Sequence, residues 1–183
     1  MIKESLVWSP ACGVLRPTPG AGRLAQDAEA APARVAIALG SNVGDREGHL
    51  AYAVDRLASF VANLRVSPFI ETEPQDVPPQ PRFLNGVVVG ESRLAPRALL
   101  NTLLTIERER GRERPGSGAP RTLDLDLVLF GDQVVEEPGL EVPHPRFRQR
   151  RFVLEPLAAI APDMIDPVTG LTIAELLERV TEG

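Results

Sequence analysis

Two aspartates, set two residues apart in an apolar run, are the residues of this chain best equipped for chemistry. In RTLDLDLVLF, Arg121 to Phe130, alternation at period 2 puts Asp124, Asp126 and Val128 on one face of a strand. Leu125, Leu127 and Leu129 fall on the other. At roughly 3.3 Å rise per residue the two aspartate Cα atoms lie about 6.6 Å apart, close enough for their carboxylates to share or bracket divalent cations. Left unpaired, the charges would repel and lose hydration. The pattern alone fits a metal site and an edge strand with one solvated face equally well.

Basic residues gather around this pair. Nineteen of the chain's cationic side chains are arginines, and Lys3 is its one lysine. Arg108, Arg110, Arg112, Arg114, Arg121, Arg146, Arg148, Arg150 and Arg151 all fall within one stretch, a local anion-binding signature in a protein of net charge −5. Arginine's planar fork matches phosphate oxygens bidentately, so the clustering beside two carboxylates points to a metal-bound polyphosphate. Arg108 and Arg110 alternate with Glu107 and Glu109 and read as helix-surface charge.

The remaining composition narrows the class. A length of 183 residues with 43% hydrophobic content suits one globular domain. No apolar stretch approaches the ~20 residues of a membrane span and no signal sequence is evident, so a cytoplasmic protein is expected. The single cysteine, Cys12, excludes an internal disulfide and a cysteine-based zinc cluster. The acidic balance argues against wholesale nucleic-acid binding.

Residues 1 to 33, rich in Ala, Pro and Gly, read as a poorly ordered extension ahead of a domain spanning 34 to 183. Val35 to Leu39 predicts a buried strand ending at Gly40, and residues 46 to 60 a helix capped by Asp45. Asn63 to Ile70 reads as a second strand. The four prolines of Glu71 to Arg82 make that stretch a long, stiff loop. Phe83 to Glu91 gives a third strand and Pro96 to about Arg110 a second amphipathic helix. GRERPGSGAP predicts an irregular, mobile stretch before the aspartate strand. A turn at GDQ, a short strand near Val134 and Val135, and helices around 152 to 160 and 173 to 181 complete the chain. This order predicts an α+β sandwich: a ferredoxin-like βαββαβ core with a mainly antiparallel sheet and additional C-terminal helices.

Five segments in this order and spacing carry a family resemblance: ALGSNVGD, the ETEP loop with QPRFLN, the helix ending at Glu107, PRTLDLDLVLFG, and VPHPRFRQRRFVLEPL. From Val35 onward the chain resembles 6-hydroxymethyl-7,8-dihydropterin pyrophosphokinase of the folate pathway. The resemblance implies transfer of a pyrophosphoryl group from ATP to the pterin hydroxymethyl group, giving AMP and the pterin diphosphate. By position in the motifs, Asp124 and Asp126 would bind two Mg²⁺ ions, with Asp126 also orienting the hydroxyl. Arg112, Arg114 and Arg121 would reach phosphate oxygens as the loop closes. The resemblance further implies that Glu107, His144 and Arg150 contact the nucleotide, that Phe83 and Phe152 sandwich the pterin, and that Asn85 and Thr72 read its edge.

Taken singly, several of these residues read otherwise. His144 between prolines fits a structural role, Phe83 and Phe152 fit core, and Glu107 fits an exposed carboxylate pairing with Arg110 at i+3. His49 has no counterpart in the resemblance and reads as helix surface. Two departures stand out. PGSGAP replaces a family arginine and aromatic between Arg114 and Arg121, and Pro145 stands where an aromatic is common. The expectation is a monomer acting on ATP and 6-hydroxymethyl-7,8-dihydropterin, with neither nucleic-acid nor membrane partner. The alternatives are a catalytically impaired paralogue and a ferredoxin-like RNA-binding module, the latter disfavoured by 4% aromatics and acidic residues on the sheet.

Overall fold

The computed structural model describes residues 31–74, 79–111 and 119–181, together with two dipeptide strands, β1 (Leu6–Val7) and β2 (Arg16–Pro17), that pair with each other. Most of the 1 to 33 extension therefore lies outside the described residues. The domain runs β3 (Ala33–Ser41), α1 (Arg46–Leu57), β4 (Val61–Val66), β5 (Ile70–Thr72), β6 (Phe83–Ser92), α2 (Pro96–Glu109) and β7 (Asp124–Phe130). There follow β8 (Val135–Glu137), β9 (Leu140–Val142), a 3₁₀ turn (Phe147–Gln149), α3 (Arg151–Ile160) and α4 (Ile173–Thr181).

The main sheet has the order β4-β6-β3-β7, every pair antiparallel, with β5 pairing β6 beyond β4. This is the split βαβ topology expected from the element order. Central β3 is buried on both faces, which explains its unbroken apolar run. Val35, Ile37 and Leu39 pack against Leu50 and Leu57 of α1 and Leu99, Leu103 and Ile106 of α2. Ala36, with Val87, Val89 and Val128, packs against Phe147, Val153, Leu154 and Leu157, and α4 adds Ile173 and Leu176 to that second core. Helix starts follow local chemistry. Asp45 caps α1 by accepting the Gly48 N–H at 3.0 Å, and Pro96 occupies the first turn of α2, where its missing N–H has no helical partner to lose.

Three sequence expectations are corrected. The second strand, expected over 63 to 70, is two strands separated at Ser67-Pro68. Proline offers no ladder donor, and the Ser67 hydroxyl accepts the Val87 N–H at 3.0 Å in place of a strand partner. Consequently β5 pairs Thr72 with Phe83 and Ile70 with Asn85, so the proline-rich loop starts after Thr72, with residues 75–78 outside the description. Leu129 does not share a face with Leu125 and Leu127. The β3–β7 register shifts between Ala36, opposite Leu129, and Ile37, opposite Leu127, so Val128 is an extra residue and Leu129 turns into the second core. The shift lies downstream of Asp124 and Asp126, whose alternation is kept.

Candidate active site

The site is built where β6, β3 and β7 run past the end of the second core. In register, Gly40 stands opposite Asn85 on one side and Asp124 on the other, and Ala38 opposite Asp126. Phe83, Asn85, Gly40, Asp124 and Asp126 therefore share one sheet face. Glycine matters at position 40 because it leaves the floor open. A Cβ there would lie 3.0 Å from Asn85 Oδ1, 3.8 Å from Asp124 Cβ and 4.0 Å from Phe83 Cδ1. Asn85 is buried and donates through Nδ2 to Thr72 Oγ1 at 2.7 Å, so the strand pairing of β5 with β6 joins the two residues expected at a pterin edge. Phe152 comes from the first turn of α3, a helix that packs on β5 and β6.

Each aspartate faces cationic or hydrogen-bonding neighbours. Arg121 Nη1 bonds Asp124 Oδ2 at 2.5 Å, and Arg150 Nη1 approaches Asp126 Oδ2 at 3.4 Å. The same two guanidinium groups lie over aromatic rings, Arg121 at 5.8 Å from the Phe83 centroid and Arg150 at 5.5 Å from that of Phe152. His144 Nε2 stands 3.7 Å from Asp126 Oδ2. Its Nδ1 accepts the Arg146 N–H at 3.2 Å, which places the proton of the neutral ring on Nε2, toward Asp126. Burial pushes the His144 pKa below its ordinary value, and Arg150 and Arg146 work in the same direction against Asp126. The imidazole is therefore neutral at pH 7. Burial likewise lowers the Arg150 pKa while Asp126 opposes it.

Arg112 and Arg114 lie outside the described residues, as do 115–118 of the PGSGAP segment. Glu107 is not the exposed partner of Arg110: it is 1% exposed and accepts the Leu125 N–H, between the two aspartates, at 2.8 Å. Because β7 is the sheet edge on that side, the α2 carboxylate supplies an acceptor that a further strand would otherwise provide. His49 is also not free helix surface, since its Nδ1 accepts from Arg110 Nε at 2.9 Å. Only part of the arginine cluster serves the aspartates. Arg108 bonds Leu104 O, Arg148 bonds Asp166 and Arg151 bonds Glu155.

Two features had weak or no sequence signal. Asn42 of the GSN motif is 1% exposed and ties two loops together, donating to Gln80 Oε1 at 2.9 Å and Pro81 O at 3.2 Å while accepting the Arg121 N–H at 2.8 Å. Its burial with a full set of partners is what places Arg121 beside Asp124. A cavity of about 310 Å³ opens beside Asp126 and His144, lined also by Leu100, Leu127, Leu140 and Pro145 and by the acidic Glu137 and Glu141. It joins α2, β7 and β9 across sequence gaps that no local pattern bridges. Among the described residues no group of three or more His, Cys, Asp or Glu side chains converges on one point. Asp124 and Asp126 can supply two hard oxygen donors, so a cation held there would complete its coordination with ligand oxygens and water.

An antiparallel ferredoxin-like α+β sandwich here carries paired carboxylates and arginines beside an aromatic-rimmed glycine floor, an arrangement suited to an enzyme of the phosphoryl-transfer class. Residues 36–162 match the 7,8-dihydro-6-hydroxymethylpterin-pyrophosphokinase (HPPK) family, and the chain belongs to that family. It is 42% identical over 152 residues to the 2-amino-4-hydroxy-6-hydroxymethyldihydropteridine pyrophosphokinase of Synechocystis, covering 79% of this chain and 74% of that protein. The Pseudomonas aeruginosa protein of the same name is 43% identical over 79% of this chain and 90% of its own length. A solved structure of a Plasmodium falciparum HPPK-DHPS triple mutant shares the fold at TM-score 0.69 and 14% identity, covering 85% of this chain and 45% of that one. The chain spans only 20% of the fission yeast folic acid synthesis protein fol1, to which it is 40% identical. Membership makes this chain a transferase of folate biosynthesis with ATP as co-substrate. No helix among the described residues is long and apolar enough to cross a membrane.

Proposed function

We propose that this chain transfers the β,γ-pyrophosphoryl group of ATP to the hydroxymethyl oxygen of 6-hydroxymethyl-7,8-dihydropterin, as a monomer in the cytoplasm. The observation that supports this most is the shared face: acceptor-binding groups at Phe83, Asn85 and Gly40 lie directly beside Asp124 and Asp126 on adjacent strands. The pterin lies over Gly40, its ring faces against Phe83 and Phe152, its polar edge on Asn85 and Thr72. The cavity beside His144 takes the nucleoside, whose apolar faces suit Leu100, Leu127 and Leu140.

Two Mg²⁺ ions, held by Asp124 and Asp126, would neutralise the triphosphate charge and favour attack on the β-phosphorus. Arg121 and Arg150, now on the aspartates, present their forks to phosphate oxygens, and Arg112 and Arg114 add further donors. Neutral His144 donates Nε2–H to a nucleotide oxygen. Asp126 accepts a hydrogen bond from the pterin hydroxyl and orients its oxygen in line with the bond to be broken. The new bond joins that oxygen to the β-phosphorus as the hydroxyl proton leaves along its hydrogen bond to Asp126 and on to solvent, and the bond from the β-phosphorus to the α,β-bridging oxygen breaks, releasing AMP. Buried Glu107 holds the backbone between the two aspartates and so acts on the nucleotide site through strand β7.

Incubating the purified protein with ATP and Mg²⁺, with and without the pterin alcohol, and resolving AMP from ADP tests the proposal. AMP formed only with the pterin is the expected result. ADP would mean single-phosphoryl transfer, and no turnover in folded protein would mean an impaired paralogue.

A further inference from the structure

Asp166 has no place in the chemistry above, yet it is fully buried and charged. Its carboxylate accepts from Arg148 Nε at 2.6 Å and Arg148 Nη2 at 2.7 Å, from Thr169 Oγ1 at 2.6 Å and from the Val168 N–H at 3.2 Å. These hydrogen bonds hold its pKa below the ordinary carboxylate range although burial pulls the other way. Taking a charge out of water is unfavourable, and stability alone is weak reason to keep a buried ion pair.

Its position offers a reason. Arg148 sits in the single turn Phe147–Gln149, between His144 and Arg150, and its guanidinium stacks 4.8 Å from the centroid of buried Phe147. Asp166 belongs to the connection between α3 and α4, which closes on itself through Asp166 N to Leu171 O at 2.9 Å and Gly170 N to Asp166 O at 2.8 Å. Arg148 thus reaches away from the site to a rigid anchor, while Arg150, two residues on, reaches to Asp126. The strap carrying His144, Arg150 and Phe152 is held from behind by a bidentate pair.

We propose that Arg148 and Asp166 are positioning residues: their pairing sets the aim of Arg150 and Phe152 toward phosphate and pterin. This rests on the function proposed above. A displacement of about 1 Å in a positioning group can cost on the order of 10²-fold in rate, so Arg148→Met and Asp166→Asn should each lower kcat/KM by roughly 10- to 100-fold. Because the pair acts as one unit, the double variant should be no worse than the poorer single variant.

The test measures AMP formation per folded molecule for wild type, Arg148→Met, Arg148→Lys, Asp166→Asn and the double variant. Pterin affinity is measured in parallel by ring fluorescence without ATP, together with thermal midpoints. KM values for both substrates and the pterin Kd rising together, with partial rescue in Arg148→Lys, support positioning. Lower midpoints with kcat/KM and pterin Kd within twofold of wild type would reduce the pair to a fold staple and overturn the inference. Should a variant fail to fold, Thr169→Val, which removes one bond to Asp166 and leaves Arg148 in place, supplies the same comparison. A wild-type protein that makes no AMP would instead overturn the proposed function, with pterin Kd still reporting on the brace.

Discussion

Replacing Gly40 by alanine should separate folding from pterin recognition with a single methyl group. The backbone at position 40 lies within an ordinary strand, so alanine meets no conformational penalty, and loss of glycine's unfolded-state freedom favours the variant by about 0.4–1 kcal/mol. Against this stands the contact of the new Cβ at 3.0 Å from Asn85 Oδ1, the end of a side chain already tied to Thr72 at 2.7 Å. A shift of a few tenths of an ångström relieves it, leaving net stability within about 1 kcal/mol of wild type. The ligand has no such freedom. The methyl group occupies the floor between Asn85, Asp124 and Phe83, and one misplaced methyl in a shaped pocket is worth about 1–3 kcal/mol, or roughly 10- to 200-fold in kcat/KM. Steady-state AMP formation at saturating ATP, with the pterin varied, reads this directly. The loss should fall on pterin KM, with ATP KM little changed. A folded Gly40→Ala protein whose pterin KM stays within twofold would refute the placement of the acceptor over this glycine.

Three other perturbations test separate parts of the site. Asp126→Ala should fold normally, because that side chain is 36% exposed, yet lose about 10³-fold or more in AMP formation; activity within a few fold of wild type at ordinary Mg²⁺ would remove the carboxylate pair from the chemistry. Glu107→Ala strands the buried Leu125 N–H at a cost of about 1–3 kcal/mol, a fall of roughly 3–10 °C in thermal midpoint, whereas Glu107→Gln keeps an acceptor and should recover most of it. Burial and Arg110 lower the pKa of His49, so the native state binds its proton less readily than the unfolded chain. Stability linked to neutral His49 is thus complete above about pH 6.5 and lost as pH falls through the lowered native value, where the ring can no longer accept from Arg110. Chemical-denaturation midpoints at pH 7.5 and 5.5 should fall less in His49→Phe than in wild type, and equal falls would exclude this linkage.

Local rules placed much of the site's scaffold. A strand alternates by geometry alone, so the common face of Asp124 and Asp126, and that of Phe83 and Asn85, could be read from the chain. The helix beginning after Asp45 and the one opening at Pro96 follow from capping chemistry within a single turn. The β-α-β-β-α-β order limited the topology to the sandwich observed, and ordered motifs from ALGSN to VPHPRF were sufficient to suggest the family.

Partner choice was decided only by tertiary packing. Chain position set Arg108 and Arg110 apart as helix-surface charge but named no partner for any arginine of the cluster: Arg148 turns to buried Asp166, Arg110 to His49, and Arg121 and Arg150 to the aspartates. Glu107 lost its apparent surface role because β7 ends the sheet and offers an edge N–H to the helix crossing it. The bulge that turns Leu129 into the second core, and the proximity of Leu100 to His144 around one cavity, likewise arise from register and packing between distant segments. Side-chain type and short-range spacing determine which faces a strand or helix presents. Which of several chemically equivalent side chains meets a given charge depends on the desolvation and geometry of contacts made far along the chain, and these exist only once the layers have packed.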